Sequence, residues 1–280
     1  MRATLAIAAL LAVIGTDRDS ALESLGRMNH RAIREASGII RSHRSPDVFW
    51  VLNDSGNPAM LFAVKRDGGF IGEFAVQAPN FDWEDFADDG NGRLYIGDIG
   101  NNDLRLPLRA IYRVDEPDPA KPAPGPLAVT AATYYRFAPG ERFDAEGMYI
   151  DRGRAVLVAK YLDQRHADLF AVPVDPPAPL ARPAVARRLG RLPGCTEPVT
   201  GAALSRDRRR LAVCSYNVLR IFERTDLNND DWAKLAVVPF ADQGRGIEAV
   251  CWDGADLVLA GEGRGLFRIA QATWMKTLGR

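Results

Sequence analysis

Five short motifs along this chain place an acidic or hydroxyl-bearing residue beside small and apolar residues, at similar intervals. Aligned on their third positions, the motifs give Ser37, Glu84, Glu146, Thr200 and Glu248. Carboxylate and hydroxyl oxygens are the ligands that hard cations such as Ca²⁺ prefer in proteins. If the fold brings these side chains together, a cation between them would remove the repulsion among the three carboxylates. The motifs therefore predict a calcium site formed by these five residues.

The intervals between the motifs predict the fold that could bring them together. The third positions are 47, 62, 54 and 48 residues apart, and each is followed by short apolar segments separated by turn-forming residues. A period near 50 built from short strands is typical of a β-propeller, in which each repeat is one blade. We therefore predict an all-β chain with a single five-bladed β-propeller over residues 22–272. A β-sandwich or jelly roll also accommodates many short strands, but it does not explain five motif-bearing repeats.

The last repeat is one strand short when the chain nearly ends. Propellers often close their ring by letting an N-terminal strand complete the final blade, which removes the sheet edges that invite aggregation. The residues from Leu25 to Ile33 precede the first motif in the right place for such a strand. We therefore predict that an N-terminal strand in this segment closes the ring.

The predicted blades place further polar residues beside the motif positions. In a four-stranded blade, the start of the first strand and the end of the second lie on the same rim. This geometry brings to the rim Asp54, Asp98, Asn101, Lys160, Glu262 and Arg264. We select Asp54 and Asp98 as candidate catalytic bases and the other four as ligand-binding residues, with Lys160 and Arg264 suited to a phosphate. The alternative for any one of these residues is a turn-stabilising role, since polar residues are common at strand ends.

The charge balance and the N-terminal residues limit the classes of function that fit this chain. The 36 basic residues balance the 36 acidic residues, so net charge gives no indication of nucleic-acid binding, and we expect no such partner. Residues 1–16 resemble a secretory signal peptide, with a basic start and an apolar run that is too short to span a bilayer. We therefore expect a secreted or periplasmic monomer without a membrane span.

The three cysteines are too few for a disulfide scaffold, and the three histidines show no zinc spacing.

The chain resembles a family of often exported bacterial β-propeller proteins. The motifs that carry the resemblance are Glu35-Ala-Ser-Gly-Ile, Asn53-Asp-Ser-Gly-Asn, Asp82-Trp-Glu-Asp-Phe and Tyr95-Ile-Gly-Asp-Ile-Gly-Asn-Asn. The resemblance covers nearly the whole chain after residues 1–16. It implies the propeller fold and says little about function.

A more distant resemblance is to calcium-activated nucleotidases of the apyrase type, which are five-bladed propellers with a central calcium held by Ser, Glu, Glu, Ser and Glu. The similar series here has Thr200 at the fourth position. Asn53-Asp54 resembles that family's paired acids, with Asn53 in place of one acid. We find no counterpart of the paired arginines that the family uses near its third blade. The resemblance therefore implies the metal ring more than it implies nucleotide hydrolysis.

These observations predict an exported calcium-binding propeller whose central cation has a binding or structural role. The alternative is a metal-dependent hydrolase of phosphate esters or anhydrides, similar to apyrases or phytases, which would act on a small phosphorylated molecule. A protein-interaction platform stays open on the fold alone. Five protein ligands would leave a calcium ion nearly saturated. Because a hydrolase needs an open coordination position, this favours the binding or structural role.

Overall fold

The computed structural model describes residues 21–121, 124–162 and 166–278. The predicted signal peptide, residues 1–16, lies outside the described residues. Within them the chain forms 21 β-strands and one short helix, and the strands build five small sheets. The prediction of an all-β, five-bladed β-propeller is confirmed.

Each blade contains four antiparallel strands, and in blades one to four these run outwards from the central channel in chain order. The first strand among the described residues is β1 (Glu23–Arg27). Blade one follows with β2 (Ala36–Arg41), β3 (Val48–Asn53), β4 (Met60–Lys65) and β5 (Phe70–Ala75). Blade two has β6 (Trp83–Asp88), β7 (Arg93–Asp98), β8 (Leu108–Asp115) and β9 (Ala131–Arg136).

The remaining blades repeat this order with one addition. Blade three has β10 (Asp144–Asp151), β11 (Arg154–Lys160) and β12 (Ala167–Pro173); after the short β13 (Ala184–Val185), it is completed by β14 (Arg187–Leu192). Blade four has β15 (Gly201–Leu204), β16 (Arg210–Ser215), β17 (Val218–Glu223) and β18 (Ala233–Pro239). Blade five has β19 (Ile247–Asp253), β20 (Asp256–Gly261) and β21 (Gly265–Ile269), and the helix α1 (Gln271–Met275) follows.

Apolar packing between the blades holds the ring together. The innermost strands contact one another around the channel in the order β2, β6, β10, β15 and β19, and β19 returns to β2. Five apolar clusters lie between the blades, one at each of the five interfaces. The cluster between blades one and two, for example, contains the buried Trp50 and Phe86. Burial of this apolar surface, at about 25 cal/mol per Å², fixes the innermost strands and the polar residues they carry.

An N-terminal strand closes the ring, as predicted, but its bounds differ from the prediction. β1 ends at Arg27 and pairs antiparallel with β21. The predicted segment instead continues away from the sheet after Arg27, because the N–H of Asn29 bonds to the carbonyl of Gly68 in blade one at 3.1 Å. Met28 and Ile33 on this segment are fully buried between blades five and one. Their apolar side chains therefore serve interblade packing.

Two features of the outer structure have no counterpart in the sequence analysis. β13, which follows the Pro-rich loop of blade three, pairs in parallel with β9 and so adds a fifth strand to the sheet of blade two. α1 lies after the last blade, and its buried Trp274 packs edge-to-face against Trp252, with ring centroids 6.4 Å apart. In the part of the chain that the structure describes, no helix has the length and apolar character needed to cross a bilayer.

Candidate metal centre at one mouth of the channel

Four of the five motif positions lie at β-bulges in the innermost strands. In β2, β6, β10 and β19 the pairing register passes over one residue, which is Ser37, Glu84, Glu146 and Glu248, respectively. A bulge leaves one residue unpaired and re-aims its side chain. Thr200, the fifth position, stands immediately before β15, and its N–H bonds to the carbonyl of Cys214 at 3.0 Å. Regular strand pairing is therefore interrupted at four motif positions, and it begins at the fifth.

The densest group of carboxylates at this mouth consists of Asp54, Asp82 and Glu84, which we call the acidic group. One oxygen of each lies within 4.8 Å of the other two. Glu84 is buried, and its Oε2 accepts a hydrogen bond from Ser37 Oγ at 3.2 Å. The other oxygen, Oε1, is buried and has no hydrogen-bond partner among the described residues. Because an unpaired buried carboxylate oxygen is costly, this atom points to a cationic ligand.

Gly100 makes room for the acidic group. A Cβ atom added at this position would overlap Glu84 Oε1 and the carboxyl group of Asp82. The N–H of Gly100 also bonds to the carbonyl of Asp82 at 3.2 Å, which holds the loop after β7 against the group. Gly100, the second glycine of the Tyr95–Asn102 motif, is thus required because the backbone approaches the carboxylates closely.

Burial and mutual repulsion raise the pKa values of these acids. Burial first, and then the charges of Asp82 and Glu35, raise the pKa of Asp54 to about 6. Burial and the charge of Glu146 raise the pKa of Glu84 well above its usual value. The charge of Asp54 also raises the pKa of Glu146 and of Glu248. The acids at the mouth therefore influence one another's ionisation, and together they favour the binding of protons or of a cation.

Lys160, at the end of β11 in blade three, supplies a positive charge at the mouth. Its Nζ lies 2.6 Å from Oε1 of Glu146, and both side chains are buried. Burial would lower the pKa of Lys160, but the charge and hydrogen bond of Glu146 raise it above its usual value. Burial raises the pKa of Glu146 to about 7, although Lys160 opposes this shift. A predicted ligand-binding residue is thus paired with a predicted metal ligand.

Thr200 and Glu248 stand at the innermost strands of blades four and five. Thr200 Oγ1 donates to the carbonyl of Ile247 at 2.9 Å. The pKa of Glu248 is raised to about 8 by burial and then by the charges of Glu262 and Glu146. Among the described residues, only the acidic group on blades one and two brings ligand atoms of three acidic, cysteine or histidine side chains within 4.8 Å of one another. Among the five predicted metal ligands, Glu84 thus belongs to the acidic group and Ser37 bonds to it. Binding of one cation by all five stays a prediction.

Asp98 and Asn101 brace the loop behind the acidic group. Asp98 Oδ1 accepts hydrogen bonds from Arg109 at 2.9 Å and from the N–H of Asp82 at 2.8 Å, and both Asp98 and Arg109 are buried. The N–H of Asn101 donates to Asp144 Oδ1 at 2.6 Å. These contacts fit a positioning role for both residues. Catalysis by Asp98 and ligand binding by Asn101 stay predictions.

The sequence analysis missed Asp82 and Asp144 as contributors to the mouth. Each stands two residues before a motif glutamate, as the first residue of its motif. That repeated Asp-x-Glu spacing was the signal that could have found them. In a strand, residues two apart lie on the same face, whereas the bulge at Glu84 and at Glu146 changes that alternation.

Asp85 was also missed, and it links three blades across the channel. Its carboxylate accepts hydrogen bonds from the N–H groups of Met148 at 2.9 Å, Ala202 at 3.3 Å and Phe86 at 2.8 Å. Burial raises its pKa well above the usual value, against these hydrogen bonds. The three donors also line a cavity of about 430 Å³. Asp85 therefore fastens blade two to blades three and four beside this cavity.

The chemistry of the acidic group fits a hard divalent cation. Its three acidic side chains and the hydroxyl of Ser37 offer only oxygen atoms. Ca²⁺ prefers such ligands and takes six to eight of them, whereas zinc and copper favour nitrogen or sulfur. Three carboxylates and one hydroxyl would leave coordination positions for water or a ligand.

Comparison with known proteins supports nothing beyond the fold. No protein-family model matches the chain, and no curated protein matches it by sequence. Among solved structures, a gluconolactonase from Xanthomonas campestris is 14% identical, with a TM-score of 0.48 and coverage of 89% of each chain. A Kuenenia stuttgartiensis hydrazine synthase is 13% identical, with a TM-score of 0.46 and coverage of 93% of this chain and 99% of that one.

A catalytically inactive virginiamycin B lyase from Staphylococcus aureus, solved with quinupristin, is 11% identical, with a TM-score of 0.43. The match covers 83% of this chain but only 65% of the lyase chain. This chain thus spans less than two thirds of the lyase structure. At such identities and TM-scores, these resemblances say nothing about activity or ligands.

Proposed function

We propose that the protein is an exported calcium-binding β-propeller whose acidic group holds one cation off the channel axis, between blades one and two. The cation would have a binding or structural role. It would join the second strand of blade one, which ends before Asp54, to the innermost strand of blade two, which carries Glu84. Secretion or a periplasmic location remains part of this proposal. It rests on the leader-like residues 1–16.

The unpartnered Oε1 of Glu84 is the observation that carries the proposal. Glu84 is only 2% exposed, so water reaches this oxygen poorly, and the nearest groups are further acids and a glycine. A proton could neutralise Glu84 alone. It would leave the neighbouring Asp54 and Asp82 without compensation, whereas one divalent cation would serve all three.

A metal-dependent hydrolase is the second candidate, because a cation held by the acidic group would retain open coordination positions. The cation could then polarise a phosphoryl oxygen and orient water. Neither predicted base is well placed for this chemistry, since Asp54 belongs to the acidic group and Asp98 is paired with Arg109 at 2.9 Å. The geometry therefore favours the binding or structural role.

Calcium titration of the metal-free protein tests the proposal. We expect wild-type protein to bind one calcium ion and to gain about 3 kcal/mol of stability at a hundred times its dissociation constant. Glu84→Gln should weaken binding by about a hundredfold or more, because it removes a direct ligand. Glu223→Gln changes an exposed glutamate on blade four and should bind as wild type does. Absence of calcium binding by wild-type protein would overturn the proposal, and a phosphatase and nucleotidase screen of the calcium-loaded protein would reveal the second function.

A further inference from the structure

A group of arginines surrounds a cavity beside the seam at which β1 closes the ring. The cavity has a volume of about 540 Å³. Its charged lining residues, which we call the arginine basin, are Arg27, Arg31, Arg34, Glu262 and Arg264. Four arginines and one glutamate thus line the same cavity. Since guanidinium groups stay protonated at neutral pH, the basin carries a local excess of positive charge.

Two of the arginines are anchored on the backbone. Arg27 Nε donates to the carbonyl of Gly263 at 3.1 Å, and Arg264 Nη1 lies 3.5 Å from the carbonyl of His30. No ion pair within 4 Å involves any of the four arginines among the described residues, and Arg31 and Arg34 are exposed. The anchored side chains keep further N–H donors for a ligand, since each guanidinium has five.

The backbone of Arg264 adopts a conformation that is uncommon for arginine. Its φ of 66° lies in the left-handed region, which disfavours any residue with a Cβ and is normally occupied by glycine or asparagine. The conformation is held by the turn in which the N–H of Arg264 bonds to the carbonyl of Gly261 at 2.8 Å. Strained residues of this kind cluster where a side chain must be held in place for binding.

We propose that the arginine basin binds the phosphate group of a small molecule. Guanidinium forks match phosphate oxygens in two-point hydrogen bonds, and a phosphate carries more charge and more acceptor oxygens than a carboxylate. Arg27 lies on β1, Arg264 immediately precedes β21, and Arg31 and Arg34 lie on the segment that leads to β2. A phosphate held by all four would link both partners of the closing strand pair to blade one. Binding would therefore stabilise ring closure, and it does not require a cation in the acidic group.

Phosphate titration of the metal-free protein tests this inference. Metal should be removed with a chelating resin, because a soluble anionic chelator would compete for the basin. At constant ionic strength, inorganic phosphate should bind in calorimetry and raise the melting temperature. The double variant Arg31→Gln/Arg34→Gln should bind phosphate at least about tenfold more weakly while melting near the wild-type temperature without phosphate, since both side chains are exposed. Arg206→Gln removes an exposed arginine far from the basin and should leave binding unchanged.

The outcomes separate this inference from the proposed calcium site. Glu84→Gln should lose calcium binding and keep phosphate binding, so either site can fail alone. No phosphate binding by wild-type protein, or equal binding by the double variant, would overturn the inference. Acetate that binds as tightly as phosphate would identify a carboxylate site and would equally overturn the assignment of a phosphate.

Discussion

The two sides of the acidic mouth meet the same electrostatic problem in different ways. On blade three, the buried Glu146 lies 2.6 Å from Lys160, so the chain provides its own cation. On blades one and two, Asp54, Asp82 and Glu84 crowd together without an ion pair among the described residues, and the nearby Arg109 pairs with Asp98. Lys160 thus compensates Glu146 from within the chain, whereas the acidic group needs an external cation or protons.

This difference matters for how a propeller can combine stability with binding. A fixed lysine holds its blade whatever the solvent contains. Carboxylates without a cation make the junction between two blades depend on the supply of metal, so that ligand binding and interblade packing are linked. We call the pair of Glu146 and Lys160 the self-sufficient side of the mouth, because its cation is part of the chain. We call the acidic group the responsive side, because its stability should depend on the supply of metal.

Removing Lys160 should have the largest effect on stability. Lys160→Met leaves Glu146 as an unpaired buried acid, and breaking a buried ion pair in this way costs about 3–5 kcal/mol. Chemical denaturation of the metal-free variant measures the loss. The double variant Glu146→Gln/Lys160→Met should recover most of it, because the unpaired charge is gone. If Lys160→Met is as stable as wild type, Lys160 does not compensate Glu146.

Adding one methyl group at Gly100 should have a smaller effect, centred on the responsive side. In Gly100→Ala the new Cβ would overlap the carboxyl groups of Glu84 and Asp82, and such overpacking costs about 1–3 kcal/mol. Calcium titration should show weaker binding as the carboxylates separate. Gly190→Ala is the matched control, since nothing lies within 4 Å of a Cβ there. Normal calcium affinity in Gly100→Ala would contradict the proposed position of the cation.

The sequence predicted the architecture well because the blades repeat. Strand periodicity and five aligned motifs suffice to define the sheets, and the missing last strand predicts N-terminal closure. The end of β1 could not be predicted, because the apolar Leu25, Met28 and Ile33 are compatible with one strand, whereas Met28 and Ile33 pack between blades five and one. Local pattern does not distinguish pairing from such packing.

The site was predicted less completely than the fold. Bulges recur at the start of the innermost strands, so the motif positions lie at the mouth of the channel. The prediction of a ring of five ligands also assumes that the five blades are equivalent at this mouth. Lys160 breaks that equivalence, and the sequence gives no distance between it and Glu146. Asp82 contributes through a bulge whose geometry cannot be seen in the residue order. Side-chain direction at irregular pairing is therefore the information that the sequence lacks.

The stability of the metal-free protein should fall as pH rises from about 5 to about 8. Glu146 and Glu248 have folded-state pKa values raised from 4.5 to about 7 and about 8, and that of Asp54 is raised from 3.8 to about 6. Folded protein thus binds more protons than unfolded protein in this range, so ionisation disfavours the folded state. Saturating calcium should oppose the trend, because metal binding releases protons from its ligands. Of these three acids only Asp54 belongs to the acidic group. Melting temperatures across this range, with and without calcium, measure both slopes; parallel slopes would show that the cation does not bind Asp54.

Removing the hydroxyl of Ser37 should have the smallest effect on stability, and it should show whether Ser37 binds the cation directly. Ser37→Ala leaves Glu84 Oε2 without its donor at 3.2 Å, which should cost the metal-free protein about 1 kcal/mol. If the hydroxyl only orients Glu84, calcium affinity should fall less than about tenfold, because a bound cation can hold both oxygens of the carboxylate. A loss as large as that of Glu84→Gln would instead make Ser37 a direct ligand, as the motif alignment predicts. Calcium titration of the two variants beside Ser24→Ala, an exposed serine on β1, separates these outcomes and decides whether blade one contributes Ser37 as well as Asp54 to the cation.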